Sequence, residues 1–214
     1  MSERTTPFEK QADKLGPRVV EALKRRHFEA FYCPTKEEAT QKVLSLIPAD
    51  DVVAWGGSLT LAQLGIIEKV KETNKVIDRA DAATPEEGRE LMRKALLCDT
   101  YLMSSNAISE DGQLYNIDGN GNRVAALIFG PKSVIVVAGM NKVTKTIADA
   151  QTRSRTIAAP LNAQRFPIEN PCNYTGTCAD CLSKTSICAS MVRTRICRPE
   201  GKIKVILVGE TLGF

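Results

Sequence analysis

Val52-Val53-Ala54-Trp55-Gly56-Gly57-Ser58-Leu59-Thr60 passes from an apolar, β-branched run through two glycines to a serine. Valine and tryptophan suit extended, half-buried backbone. Paired glycines allow a sharp turn and a close approach to a ligand. A serine just before an apolar helical pattern is an N-cap. The stretch therefore reads strand, tight turn, helix, with the helix expected over Leu59–Lys71. Further runs of strand length occur at Phe28–Tyr32, Lys75–Ile77, Thr100–Met103, Val124–Phe129, Ser133–Ala138 and Ile203–Val208. Thr6-Pro7-Phe8-Glu9, Thr35-Lys36-Glu37-Glu38 and Thr84-Pro85-Glu86-Glu87 have the form of capping boxes, two with proline at the first helical position. Strands alternating with helices indicate an α/β fold with a mainly parallel sheet flanked by helices.

Two departures from this alternation are expected. Alternating segments across Gln113–Phe129 flank Asp118-Gly119-Asn120-Gly121-Asn122, a turn composition that places a β-hairpin there. Asn141–Ala159 resumes helix, with Val143, Ile147 and Ala150 on one face, until Pro160 ends it. The expected organisation is an α/β domain over 1–160, a cysteine-rich segment over 161–202 with little periodicity, and a closing strand of the same domain over 203–214.

A chain of 214 residues with 43% hydrophobic residues can fold around one core without covalent staples. Met1–Pro7 shows no apolar run behind a basic patch, so no signal peptide is expected. Nor does any stretch reach the roughly 18–20 apolar residues of a membrane span. The expected location is cytoplasmic, with no membrane partner. The net charge of +4 is matched by residues 180–204 alone, where Lys184, Arg193, Arg195, Arg198, Lys202 and Lys204 face only Asp180 and Glu200. Few aromatics interleave with these bases and no finger motif is present, so a nucleic-acid partner is not expected.

Five of the seven cysteines, Cys172, Cys178, Cys181, Cys188 and Cys197, fall within 26 residues. Thiolates so concentrated repel unless a cation holds them or they oxidise. A disulfide framework belongs to small secreted domains. A metal centre is the expectation, with four of the five cysteines completing an iron–sulfur cluster such as [4Fe–4S] or a zinc site. The single His27, at a helix end, excludes a histidine-rich zinc site. Cys33 and Cys98 read as buried hydrophobes.

The second candidate site is a ligand pocket at strand ends, where open α/β sheets bind their ligands. It comprises Gly56, Gly57, Ser58 and Thr60, then Asn106, Asp111 and Gly112, then Asn122, Arg123 and Lys142. The two cations point to an anionic metabolite. The glycine turn lacks the lysine of a P-loop and the G-x-G-x-x-G spacing of a dinucleotide site.

Gly57-Ser58-x-Thr60-x4-Gly65, Ser105–Gly112, Asn116–Val124, Phe129-Gly130-Pro131-Lys132, Val136–Lys142, Pro171-Cys172-x3-Gly176-x-Cys178-x2-Cys181 and the ending Gly209-Glu210-x-Leu212-Gly213-Phe214 together resemble the LUD domain, the lactate-utilisation family. The resemblance implies a fold related to sugar-phosphate isomerases and CoA-transferases. It also implies a part in oxidising lactate or other small organic acids beside iron–sulfur redox subunits. Three functions stand open: a redox-associated subunit that binds an anionic metabolite; an isomerase- or acyl-transfer-like enzyme using Glu110, Asp111 and Lys142 as acid–base groups; and a scaffold with structural zinc. A homodimer is the expected assembly.

Overall fold

A computed structural model describes residues 4–214; of the Met1–Pro7 start, the first three residues lie outside it. Helix α1 (Pro7–Arg25) opens on a full capping box. Thr6 Oγ1 accepts from the Glu9 amide, and the Glu9 carboxylate accepts from the Thr6 amide. The exposed His27, in the left-handed region at φ 64°, turns the chain into β1 (Glu29–Cys33). Then follow α2 (Lys36–Ser45), β2 (Val52–Trp55), α3 (Leu59–Gln63), α4 (Ile66–Thr73), β3 (Lys75–Ile77), α5 (Pro85–Lys94) and β4 (Thr100–Met103). A small antiparallel pair, β5 (Ala107–Ser109) and β6 (Leu114–Asp118), precedes α6 (Asn122–Ile128) and β7 (Ser133–Gly139). The chain continues through β8 (Val143–Thr144), α7 (Ile147–Arg153), α8 (Ala159–Ala163), α9 (Pro171–Thr175), β9 (Ser190–Thr194) and β10 (Ile203–Val208).

Six strands form one parallel sheet in the order β1-β10-β7-β4-β2-β3. Helices cover both faces, which is why its strands are continuously apolar rather than alternating. The period of two persists as a choice of face. Tyr101, Met103, Val134, Val136, Val205 and Leu207 meet Val19 and Leu23 of α1. Leu102, Ile135, Val137, Ile206 and Val208 meet Val43 of α2, Leu61 of α3 and Val70 of α4. A second sheet, β8-β5-β6-β9, carries α7 and α8 against Ala107, Tyr115 and Ile117.

Four expectations need correction. The hairpin lies upstream of the Asp118–Asn122 turn, between β5 and β6, and Val124–Phe129 is mostly helix α6. The helix after Ser58 breaks at Gly65, whose φ of +59° is left-handed, so α3 and α4 are separate. The helix expected from Asn141 begins at Ile147, behind a second full capping box between Thr146 and Asp149. Pro160 does not end it. The chain widens into a π-helical segment at Ser154–Ala158 and proceeds into α8 with Pro160 in its first turn. Such wider turns accommodate the hydrogen bond a proline removes.

A cationic cleft beside a four-thiol pocket

The carboxyl ends of β2, β4 and β7 open into a cleft of about 700 Å³. Each strand delivers a short segment at its end: Gly57–Thr60 after β2, Ser104–Asn106 after β4, and a 3-10 turn at Met140–Lys142 after β7. The far wall is the cysteine-rich segment, with Ser183–Ile187 lining the opening. Gly119 fits the two walls together, since a Cβ there would stand 3.1 Å from the Cα of Ile187.

Gly57, Ser58, Thr60, Asn106, Asn122, Arg123 and Lys142 of the expected ligand site line this cleft. Gly56, Asp111 and Gly112 do not. Gly56 sits behind the wall, where a Cβ would lie 3.0 Å from the Arg123 side chain. Asp111 binds Arg26 at 2.6 Å and accepts from Ser109 and Gln113. Gly112, at φ +86°, packs against the backbone of α1, where an added Cβ would come 2.6 Å from Ala22 O and a side chain has no room. Of the acid–base candidates, Glu110 pairs with Lys145 at 2.7 Å and Asp111 with Arg26, so Lys142 alone is in the cleft.

Arg123 is a structural cation at the cleft's floor. Its Nη1 donates to Ser104 O (2.9 Å) and Asn116 Oδ1 (2.6 Å), and its Nη2 to Asn106 Oδ1 (3.1 Å) and Ile117 O (2.6 Å). The Nε lies 3.3 Å from Asp118. With every nitrogen engaged, Arg123 contributes charge to a ligand rather than a free donor. Burial pulls its pKa down and the Asp118 carboxylate opposes this.

Lys142 is 4% exposed. Its Nζ donates to Thr60 Oγ1 and Ser104 Oγ, both at 3.0 Å. No carboxylate pairs with it among the described residues. Burial first, and then the positive charges of Arg153 and Arg123, bring its pKa down to about 7. Sequence reasoning found the lysine but not this state, because its hydroxyl partners come from segments more than thirty residues away.

Arg79, Arg165 and Lys184 complete the cations of the lining, and sequence reasoning missed all three as site residues. No local motif marks them; the fold brings Arg79 from beyond β3, and the other two from the segment after α7. The cleft thus holds four cations, Arg79, Arg123, Arg165 and Lys184, beside the weakened charge of Lys142, and one carboxylate side chain, Asp118, already paired with Arg123.

On the other side of the Ser186–Ile187 wall, Cys172, Cys178, Cys181 and Cys188 line a second cavity of about 170 Å³. Burial raises the Cys188 thiol to about 11, and the other three sulfurs add to the effect. Burial also raises Cys172, helped by Cys181 and Cys178. Arg155 reaches in, with Nη2 3.8 Å from Cys178 Sγ and paired with Asp180, while its buried Nε has no partner. Cys197, counted with the others from sequence, lies apart at 1% exposure in the main core, donating to Pro199 O and accepting from the Ile203 amide. All seven cysteines are free thiols. Among the described residues no three metal-ligand side chains are drawn together to hold an ion. Four soft donors around one cavity, with an arginine to offset their charge, nevertheless have the composition of a tetrathiolate centre. Cys33 and Cys98 are buried, and desolvation raises their thiols to about 11 and about 12.

The LUD domain family model matches residues 16–208. The crystal structure of a DUF162 family protein from Deinococcus radiodurans superposes with a TM-score of 0.53 at 10% identity, covering 92% of this chain and 98% of the other. At that identity the likeness is one of fold. Ribose 5-phosphate isomerase A from Methanocaldococcus jannaschii gives 0.35 at 16% identity, over 53% of this chain and 56% of that one. The delta subunit of eIF2B from Chaetomium thermophilum gives 0.32 at 15% identity, over 65% and 54%. No curated protein matches the chain.

Proposed function

Because the chain belongs to the LUD domain family, which is associated with lactate utilisation, we propose that it binds lactate or another small organic acid in the cationic cleft and serves as a redox-associated subunit through its four-thiol pocket. One observation carries the binding half: four cations, Arg79, Arg123, Arg165 and Lys184, line the cleft against a single carboxylate side chain that is already paired. A cleft lined by one sign of charge concentrates anions. Asn122 supplies an amide donor to the lining, and Arg79, Arg165 and Lys184 supply charge.

Cys172, Cys178, Cys181 and Cys188 are the residues that would hold the metal, and an iron–sulfur cluster bound there would supply one-electron transfer. Four thiolates suit either a [4Fe–4S] cluster or a single zinc ion, and the redox reading takes the cluster. Arg155 would offset the negative charge of the thiolates, and its unpartnered Nε would gain an acceptor. A cytoplasmic location, with iron–sulfur subunits as electron partners, completes the reading.

Anaerobic purification followed by iron, sulfide and zinc analysis tests the redox half. Iron and sulfide in equal amounts, with a reducible paramagnetic signal, support it; one zinc and no colour replace it with a structural centre. Calorimetric titration with lactate and pyruvate tests the binding half, and absence of heat at millimolar acid rejects it.

A further inference from the structure

The hydroxyl partners of Lys142 are themselves committed. Thr60 Oγ1 and Ser104 Oγ accept from the lysine, and their own hydrogens have long outlets of 3.4 Å to Leu212 O and Ser105 O. A neutral amine has two hydrogens, and these two acceptors take both. Its lone pair is then left over, and Lys142 forms part of the cleft lining. Gly213 keeps the approach clear: a Cβ there would come 2.5 Å from Thr60 Oγ1 and 3.2 Å from the Nζ. Arg153 and Arg123 are the charged groups that bear on the amine, and both disfavour its protonated form. Arg153 is held in place by Asn106 O and Asn141 O. A buried lysine without a counter-ion, in a desolvated site beside other cations, is the arrangement that activates an amine toward carbonyls.

We propose that Lys142 forms an imine with the carbonyl group of a 2-oxo acid bound in the cleft. The proposal rests on the anion-binding reading and adds a covalent step to it. The cations select the carboxylate, and the amine selects the adjacent carbonyl. The Nζ lone pair bonds to the carbonyl carbon while the carbonyl π pair moves to oxygen. One proton passes from nitrogen to that oxygen to give the carbinolamine; a second leaves nitrogen as the oxygen departs in water, and the C=N bond forms. No oxidant or reductant is consumed. Once protonated, the imine draws electrons from the neighbouring carbons and weakens their bonds, the activation that amine nucleophiles give to carbonyl compounds.

The test is borohydride trapping on the full chain with pyruvate and glyoxylate, read by intact mass and peptide mapping, beside calorimetric binding of lactate and both oxo acids. The expected result is a stable adduct on Lys142, heavier by the acid less one oxygen, absent from Lys142→Met and forming faster as the pH rises through neutrality. Mapping locates the adduct in the wild type alone, so the outcome does not depend on whether the variant folds. Binding of the acids without an adduct overturns the imine and leaves the anion site standing. Labelling spread over surface lysines, unchanged in Lys142→Met, overturns it equally. Absence of binding by all three acids overturns both.

Discussion

Arg123 and Lys142 stand in one cleft in opposite states. Arg123 has an acceptor at every nitrogen and a paired carboxylate, whereas Lys142 has two hydroxyls and no carboxylate. Arg123→Ala should therefore unfold more easily, by roughly 3–5 kcal/mol, because Asp118 and several carbonyls lose their partner; denaturant melts measure this. Lys142 has the reverse energetics. Its folded pKa is about 7 against the ordinary 10.5. Between these values the unfolded chain binds a proton that the folded one does not, so this group makes stability rise with pH through that window. Below about pH 7 both states are protonated and the full cost of burying the charge is present. Lys142→Met should therefore gain stability relative to wild type at pH 6 and lose that advantage near pH 10. Paired melts across that range check it, and a constant difference would mean that the amine is not held neutral. Cys197→Ser should retain the metal that Cys178→Ser loses, since Cys197 bonds Pro199 and Ile203 in the core instead of facing the pocket.

The wall formed by Ser183–Ala189 belongs to the cleft on one side and, through Ser186–Cys188, to the thiol pocket on the other. It is tied to the hairpin by the β6–β9 ladder that follows it and by the close approach of Gly119 to Ile187. Stripping metal from the pocket should loosen this wall and weaken binding of the organic acid several-fold, which calorimetry on stripped and loaded protein would show. Equal affinity would mean that the wall holds without metal. The elements around this wall were the least legible from sequence. Strands buried on both faces announced themselves, and Val52–Trp55, Thr100–Met103 and Ile203–Val208 stand where their apolar runs placed them. Val124–Phe129 misled because a short apolar run does not distinguish strand from helix. Its helical character comes from outside the run: Asp118 Oδ1 accepts from the Gly121 amide, and Gly121 at φ +78° turns the chain into α6. Ser190–Thr194 has little apolar periodicity and becomes a strand only because β6 offers it an edge. The cleft's strand-end segments were readable, whereas Arg79, Arg165 and Lys184 reach it by tertiary folding alone.

At the scale of the whole molecule, the order β1-β10-β7-β4-β2-β3 puts the last strand in the sheet between the first strand and the seventh. Ile203–Val208 hydrogen-bonds on both sides, to Glu29–Cys33 and to Val134–Gly139. Among the described residues it joins both cores, with Val205 and Leu207 on one face and Ile206 and Val208 on the other. Truncation before Ile203 should abolish cooperative unfolding, with circular dichroism and a calorimetric scan as the readout. For a chain emerging from the ribosome this topology imposes an order of events. β1 has no partner in the large sheet until β10 has been made, so a gap flanked by two open strand edges persists while the cysteine-rich segment is being translated. Nascent chains would be most prone to stick to one another in that interval, and a chaperone occupying the gap would protect them. The four thiols are all synthesised before the gap closes, which leaves a period in which a metal donor could reach them on a chain whose sheet is still open.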